Sequence, residues 1–264
     1  MFLPNTDIVV SRLGFGTGSL HRVFSSRKRK NLLRSALISG ISHYDTAPYY
    51  GNGLAEIDLG KAFKKDRQRI TITSKIGLYP PIGYSQSIYN LWVSKFVGKL
   101  NSSLSLPKVD FSLELAQSSL YGSLKRLKTD YIDFLLIHEP NISLINQDEL
   151  LHWLELEKNR GAICEWGLAG HSSMIKPWLN DHHELAKVIQ TNDSIEEQEA
   201  NFIFLSKRDL QFTYGYFSHS RKRNNITNTK DILLKALLRN NKGSIIFSST
   251  SFKHINEIAS LANY

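Results

Sequence analysis

VSRLGFGTG, residues 10–18, reads as a short apolar strand ending in a glycine-rich turn, and the spacing inside that turn decides between two folds. A turn that wraps a dinucleotide at the start of an open doubly wound sheet carries G-x-G-x-x-G. Here Gly14, Gly16 and Gly18 are each two apart, so that motif is missing. The rest of the chain then has to say what the strand belongs to.

Seven further runs of the same kind follow: ISHYDTA (41–47), ITITSKIG (70–77), YIDFLLIH (131–138), AICEWGLAG (162–170), AKVIQTND (186–193), LQFTYGYF (210–217) and GSIIFSS (243–249). Helix-like stretches alternate with them: 26–39, 54–63, 113–127, 148–159, a short one at 174–179, 195–206, 231–239 and 254–261. Leu113, Ala116, Leu120, Leu124 and Leu127 recur at three- and four-residue steps, which gives one apolar stripe to lay on a sheet. Eight uninterrupted βα pairs predict a closed (β/α)8 barrel of the α/β class, with residues 1–264 as a single domain. The longest loop-like stretch, 77–110, follows the third strand and is expected to overhang the C-terminal face as a substrate-side lid. In it, Trp92 and Phe96 are expected to pack in the lid or core.

Composition narrows the function classes. A chain of 264 residues, 41% hydrophobic, can bury a core. No apolar run is long enough for a membrane span and the N-terminal residues do not read as a signal peptide, so a cytoplasmic protein with no membrane partner is expected. A single cysteine, Cys164, leaves no disulfide framework and no cysteine-rich metal site; it reads as a buried structural thiol, and no metal is expected. The net charge of +9 gathers in Arg27, Lys28, Arg29 and Lys30 and in Arg221, Lys222 and Arg223. Without interleaved aromatics these read as solvated basic faces, and no nucleic-acid partner is expected.

Barrel active sites are built from residues at the C-terminal ends of strands. The second strand ends in Tyr44-Asp45-Thr46-Ala47 and runs on into Pro48-Tyr49-Tyr50-Gly51, the third in Ser74-Lys75, the fourth in His138-Glu139-Pro140. Taken singly, Asp45 suits a turn, Tyr50 a packing aromatic, Lys75 a solvated strand end and His138 a core imidazole. Together they supply a carboxylate, a phenol, an ammonium and an imidazole on consecutive strands. Reducing a carbonyl needs a hydride on carbon and a proton on oxygen. Lys75 is expected to lower the phenol pKa, Asp45 to hold Lys75 charged, and His138 to donate a hydrogen bond to the reacting oxygen.

Those residues carry a resemblance to the aldo-keto reductase superfamily. Asp45 to Gly51 followed by Ala55-Glu56 and Leu59-Gly60, Ser74-Lys75, Ser123 to Leu127, and Asp130-Tyr131-Ile132-Asp133 through His138 are similar to segments of that family, as is the opening Val10 to Thr17. The resemblance implies an NAD(P)-dependent oxidoreductase of carbonyls and alcohols, with Tyr50, the tyrosine directly before the glycine, as general acid or base. It also implies a nicotinamide cofactor held without a doubly wound domain. Gln190 would hold its carboxamide, Tyr214 or Tyr216 would stack on its ring, and Gly16 and Thr17 of the first turn are further cofactor positions. Its adenine end is expected near Ser248, Ser249, Thr250, Lys253 and His254, where hydroxyls and a helix start suit a phosphate.

The chain also departs from the family. Ala169-Gly170 stands where Ser-Asn is usual, removing two carboxamide partners, and Ser248 and His254 stand where a lysine and an arginine often grip the 2′-phosphate. NADP(H) is favoured and NAD(H) stays open. The ending at Tyr264, just after the eighth helix, suggests an open pocket. Asp110-Phe111-Ser112 and His138-Glu139-Pro140 look most like the sugar and pyridoxal dehydrogenase branch, which implies a small carbonyl or sugar substrate. The alternative is a catalytically weak nucleotide-binding barrel serving as a regulatory or partner module. Oligomeric state is not legible.

Overall fold

A computed structural model describes residues 1–81, 106–179, 183–218 and 228–262. Trp92, Phe96, the basic run 221–223 and most of the expected lid lie outside those residues.

Eight parallel strands close into a barrel: β1 (Leu13–Gly16), β2 (His43–Asp45), β3 (Thr71–Ile76), β6 (Ile132–His138), β7 (Ile163–Gly170), β8 (Val188–Asn192), β9 (Phe212–Tyr214) and β10 (Ser244–Phe247), which pairs back onto β1. All eight predicted runs contain one of these strands. A hairpin the sequence reading missed, β4 (Leu78–Tyr79) with antiparallel β5 (Lys108–Val109), brackets the long stretch after β3.

Helices α1 (Ser26–Ile38), α2 (Leu54–Phe63), α3 (Leu113–Leu127), α4 (Gln147–Asn159), α7 (Thr229–Arg239) and α8 (Phe252–Ala262) form close to where they are expected. The predicted stripe of α3 is real: Ala116, Leu120 and Leu127 are buried, and Leu113 and Leu124 pack partly buried beside them. Two expectations shrink. The stretch 174–179 splits into a single turn, α5 (Ser172–Ile175), and a 3-10 turn at Lys176–Leu179, while 195–206 keeps only α6 (Asn201–Leu205). There Asp193 and Glu199 take the local hydrogen bonds instead, from Ala200 N and Ser194 Oγ, the competition that short polar side chains offer a helix start.

Side chains alternate along each strand, so the apolar residues form two bodies. One lies between strands and helices, the other inside the barrel, where Leu3, Val10, Phe134, Leu136, Val188, Phe212 and Ile246 meet. Leu3 belongs to an N-terminal turn closed by the Phe2–Val9 bridge and is fully buried at the barrel floor. Arg29, expected on a solvated face, is instead buried in an ion pair with Asp58 and donates to the carbonyls of Val23 and Phe24 at 2.9 and 2.8 Å. That joins α1 to α2. Cys164 is half-buried rather than buried. No described helix is long and apolar enough to cross a membrane.

Candidate active site

Two residues of travel along each strand carry the barrel interior from floor to mouth. His43 gives way to Asp45 on β2, Thr73 to Lys75 on β3, Val188 to Gln190 on β8 and Phe212 to Tyr214 on β9. The upper residues, with His138 from β6, line a cavity of about 520 Å³. The period of two that aims one residue inward therefore aims the next functional one inward too.

Asp45 and Lys75 sit on neighbouring strands, and Lys75 Nζ donates to Asp45 Oδ1 at 2.5 Å and to the Thr46 carbonyl at 3.0 Å. The same Nζ lies 3.4 Å from the Tyr50 hydroxyl. Tyr50 is brought over it by the turn that follows: Gly51, Asn52 and Gly53 all have positive φ, at 59°, 52° and 87°. Two glycines and an asparagine are the residues that tolerate such a run. His138 completes the group, its ring edge-on to Tyr50 at 6.0 Å between centroids. All four sequence-expected residues thus meet at one end of one cavity.

Their electrostatics differ from the expectation in one respect. The Tyr50 phenol is held well above its usual pKa, first by burial and then by the negative charges of Asp45 and Glu139. The expected lowering by Lys75 does not prevail: burial outweighs it, and Asp45, 2.5 Å from that ammonium, adds a raising charge. Burial pushes Lys75 down, against Asp45, which holds its proton on. Burial, then Lys75, puts His138 well below the ordinary imidazole range, so the ring is neutral and has one N–H to give. Its Nδ1 is buried with no hydrogen-bond partner among the described residues.

Behind this corner lies a carboxylate not singled out from the sequence as a site residue. Glu56 is fully buried on α2, accepting from Ser74 Oγ at 2.7 Å and from Arg126 Nε at 2.6 Å. It braces the strand position next to Lys75. A glutamate at the third position of a predicted helix carries no sign of burial in the sequence, since glutamate is ordinarily solvated.

The expected cofactor positions divide. Gly16, Gln190, Tyr214, Ser248 and His254 line the cavity. Gln190 Nε2 donates to Asp45 Oδ1 at 3.0 Å, and its Oε1 is buried without a partner among the described residues. Ser248 Oγ donates to the Gly16 carbonyl at 2.8 Å; a Cβ on residue 16 would stand 2.7 Å from that Oγ, so glycine permits the contact. The ends of β1 and β10 meet there.

The others do not face the cavity. Tyr216 is turned into the core, where its hydroxyl donates to Asp193 at 2.7 Å, which leaves Tyr214 as the ring on the wall. Thr17 is fully buried and spends its N–H and its hydroxyl on the Asp45 carbonyl, at 2.9 and 3.0 Å. It fixes the backbone of Asp45. The Ser249 hydroxyl caps the turn into α8 with Ser251 and lies 3.2 Å from His254 Nδ1. Thr250 and Lys253 are exposed and outside the wall. Gly18, Gly215, Phe217, Ser218 and Phe247 are wall residues not singled out from the sequence as cofactor positions. Among the described residues no cluster of His, Cys, Asp or Glu is arranged to hold a metal ion.

Comparisons with known proteins bear on this geometry. L-galactose dehydrogenase of Arabidopsis thaliana is 30% identical over 64% of this chain and 47% of its own length. Pyridoxal 4-dehydrogenase of Microbacterium luteolum is 25% identical over 78% of this chain and 61% of its own. The chain therefore spans about half to three-fifths of the length of these curated relatives. An aldo-keto reductase from Klebsiella pneumoniae, solved in complex with NADPH, superposes with a TM-score of 0.67 over 100% of this chain and 91% of its own, at 17% identity, a likeness of fold. The family model described as "Aldo/keto reductase family" matches residues 12–194, which hold β1 through β8 and with them Asp45, Tyr50, Lys75, His138 and Gln190. On that match, covering well over half of the sequence, the chain belongs to the aldo/keto reductase family.

Proposed function

We propose that this protein is an NAD(P)-dependent oxidoreductase that interconverts a carbonyl and an alcohol, with Tyr50 moving the proton. The observation that carries the proposal is the unbroken sequence of contacts at the cavity end. Asp45 holds Lys75 at 2.5 Å, and Lys75 reaches the Tyr50 hydroxyl at 3.4 Å, with neutral His138 beside it.

The residues present fit a nicotinamide. Gln190 offers an unpartnered buried Oε1 to a carboxamide N–H, and Tyr214 offers a ring on the same wall. A bound nicotinamide supplies the hydride donor or acceptor. The chain's own residues do the rest. Tyr50, kept protonated by burial, gives its proton to the reacting oxygen in reduction, or receives it back in oxidation. Lys75 stabilises the phenolate as that proton leaves, and Asp45 keeps Lys75 charged in a site too dry for an unpaired ammonium. His138 donates one N–H to the oxygen as charge grows there. Ser248 and His254 stand where the phosphates of the adenine half are expected, and the NADPH complex of the Klebsiella structure supports NADP(H) over NAD(H).

For substrate we propose a polyhydroxylated or aromatic aldehyde or alcohol, in line with the names of the two dehydrogenases above. A second reading, a weakly catalytic nucleotide-binding barrel, draws only on Ala169 and Gly170, which give the carboxamide no side-chain partner. One experiment separates the two. Aldehydes, sugars and pyridoxal are assayed with NADPH and NADH by absorbance of the reduced nucleotide, alongside fluorescence quenching by each. Quenching with turnover of at least one carbonyl class is expected; quenching without turnover across the panel would favour the binding module, and no quenching at millimolar nucleotide would overturn both.

A further inference from the structure

Among the described residues the charges at the cavity do not cancel. Asp45 and Lys75 form a buried pair, and His138 is neutral. Glu139, the next residue along, has no ion-pair partner among the described residues. Its backbone sits at φ 49°, a left-handed conformation that costs a side-chain-bearing residue stability. Two contacts hold it there: its N–H donates to the Ala169 carbonyl at 2.7 Å, and its Oε2 accepts from His171 N at 3.1 Å.

Those contacts press the carboxylate onto the cavity wall. Gly170 is part of that wall, and a Cβ there would stand 2.8 Å from Glu139 Oε2 and 3.1 Å from its Cα. The carboxylate fills the space that any side chain at position 170 would need. Its field reaches both Tyr50 and Tyr214, raising each phenol's pKa, so it acts across the part of the cavity that those two residues border.

A nicotinamide ring is cationic when oxidised and neutral when reduced. We infer that Glu139 is a fixed counter-charge in this wall, which tightens binding of the oxidised nucleotide relative to the reduced one. The inference rests on the nicotinamide reading above and adds to it a residue that distinguishes the two redox states. Glu139 acts at a distance through its charge, since the wall atoms facing the cavity are those of Gly170.

The test is calorimetric titration of the wild-type chain, Glu139→Gln and Gly170→Ala with NADP+, NADPH, NAD+ and NADH. The nicotinamide-free fragment 2′-phospho-ADP-ribose serves as a control. Glutamine keeps the shape and an acceptor for His171 N but removes the charge. Glu139→Gln is expected to raise Kd for the oxidised nucleotides about three- to tenfold, the scale of one partly screened charge. Kd for the reduced nucleotides and the fragment should stay within about twofold. Gly170→Ala, which forces the carboxylate off the wall, is expected to shift the oxidised-to-reduced ratio the same way. An unchanged ratio in Glu139→Gln, whether both forms weaken together or neither does, would overturn the inference and leave Glu139 a brace for the loop. Failure of every nucleotide to bind the wild-type chain would remove the nicotinamide reading itself, and this inference with it.

Discussion

The floor and the mouth of this barrel lie two residues apart along the same strands and treat a buried ionisable group in opposite ways. At the floor His43 is fully buried, stacked on Phe212 at 4.5 Å between ring centroids and edge-on to Phe134. Its ring nitrogens meet the hydroxyls of Thr71 and Thr73, at 2.9 and 3.4 Å. Burial, then Lys75, pushes its pKa down to about 3. At the mouth Lys75 is as deeply buried, yet Asp45 lies 2.5 Å from it and works to hold its proton on against that burial. What separates an inert core residue from a chemical one here is the presence of a countercharge on the adjacent strand, not depth.

That contrast can be broken in four places. Tyr50→Phe should have the largest effect, lowering turnover by about 10²- to 10⁴-fold, the range of a lost general acid, while nucleotide affinity measured by fluorescence stays near wild type. Retained turnover would take the proton-transfer role away from Tyr50. Lys75→Met leaves Asp45 buried with, among the described residues, only the Gln190 side chain on it, and should cost about 3–5 kcal/mol in urea unfolding. A loss below about 1 kcal/mol would mean the pair is no more than a surface-type contact.

His43 gives the third test. Between its folded value of about 3 and the ordinary 6.5, the unfolded chain binds a proton that the folded chain refuses, so stability falls as pH falls through this window. From pH 7.5 to pH 5 the loss from this one group is on the order of 2 kcal/mol. His43→Phe should flatten the pH dependence of the unfolding midpoint by that amount; an unchanged slope would mean that His43 accepts a proton in place. The smallest effect is expected for Ser248→Ala, which removes the bond to the Gly16 carbonyl and should cost about 0.5–1.5 kcal/mol. If instead nucleotide affinity falls tenfold or more at unchanged stability, Ser248 belongs to the ligand and not to the β1–β10 seam.

The corner of Asp45, Lys75, His138 and Tyr50 was legible because it could be read locally. Asp45, Lys75 and His138 follow apolar runs at strand ends, and Tyr50 precedes a glycine in the turn after the second strand. The expected cofactor wall was less so. Tyr214 and Tyr216 share a strand end in sequence, and only the position of Asp193 decides that Tyr216 turns inward to a hydrogen bond. Thr17 was expected beside the cofactor, and only the neighbouring strand shows that its hydroxyl goes to the Asp45 carbonyl. Helix 195–206 failed for the same kind of reason, with Asp193 capturing the Ala200 N–H that a helical turn would have used.

Period and punctuation in the sequence by themselves determined the eight βα units, the strand ends that carry Asp45, Lys75 and His138, and the glycine turn that delivers Tyr50, because each depends on residues within a few positions of one another. Only the tertiary structure decided which charges meet. That Asp45 pairs with Lys75 while Glu139 has no ion-pair partner among the described residues, that Arg29 is buried and that the Tyr50 phenol rises instead of falling are sums over neighbouring strands and helices. Electrostatic energy in a dry interior depends on distance between atoms and on the water excluded from them, and neither is written along the chain.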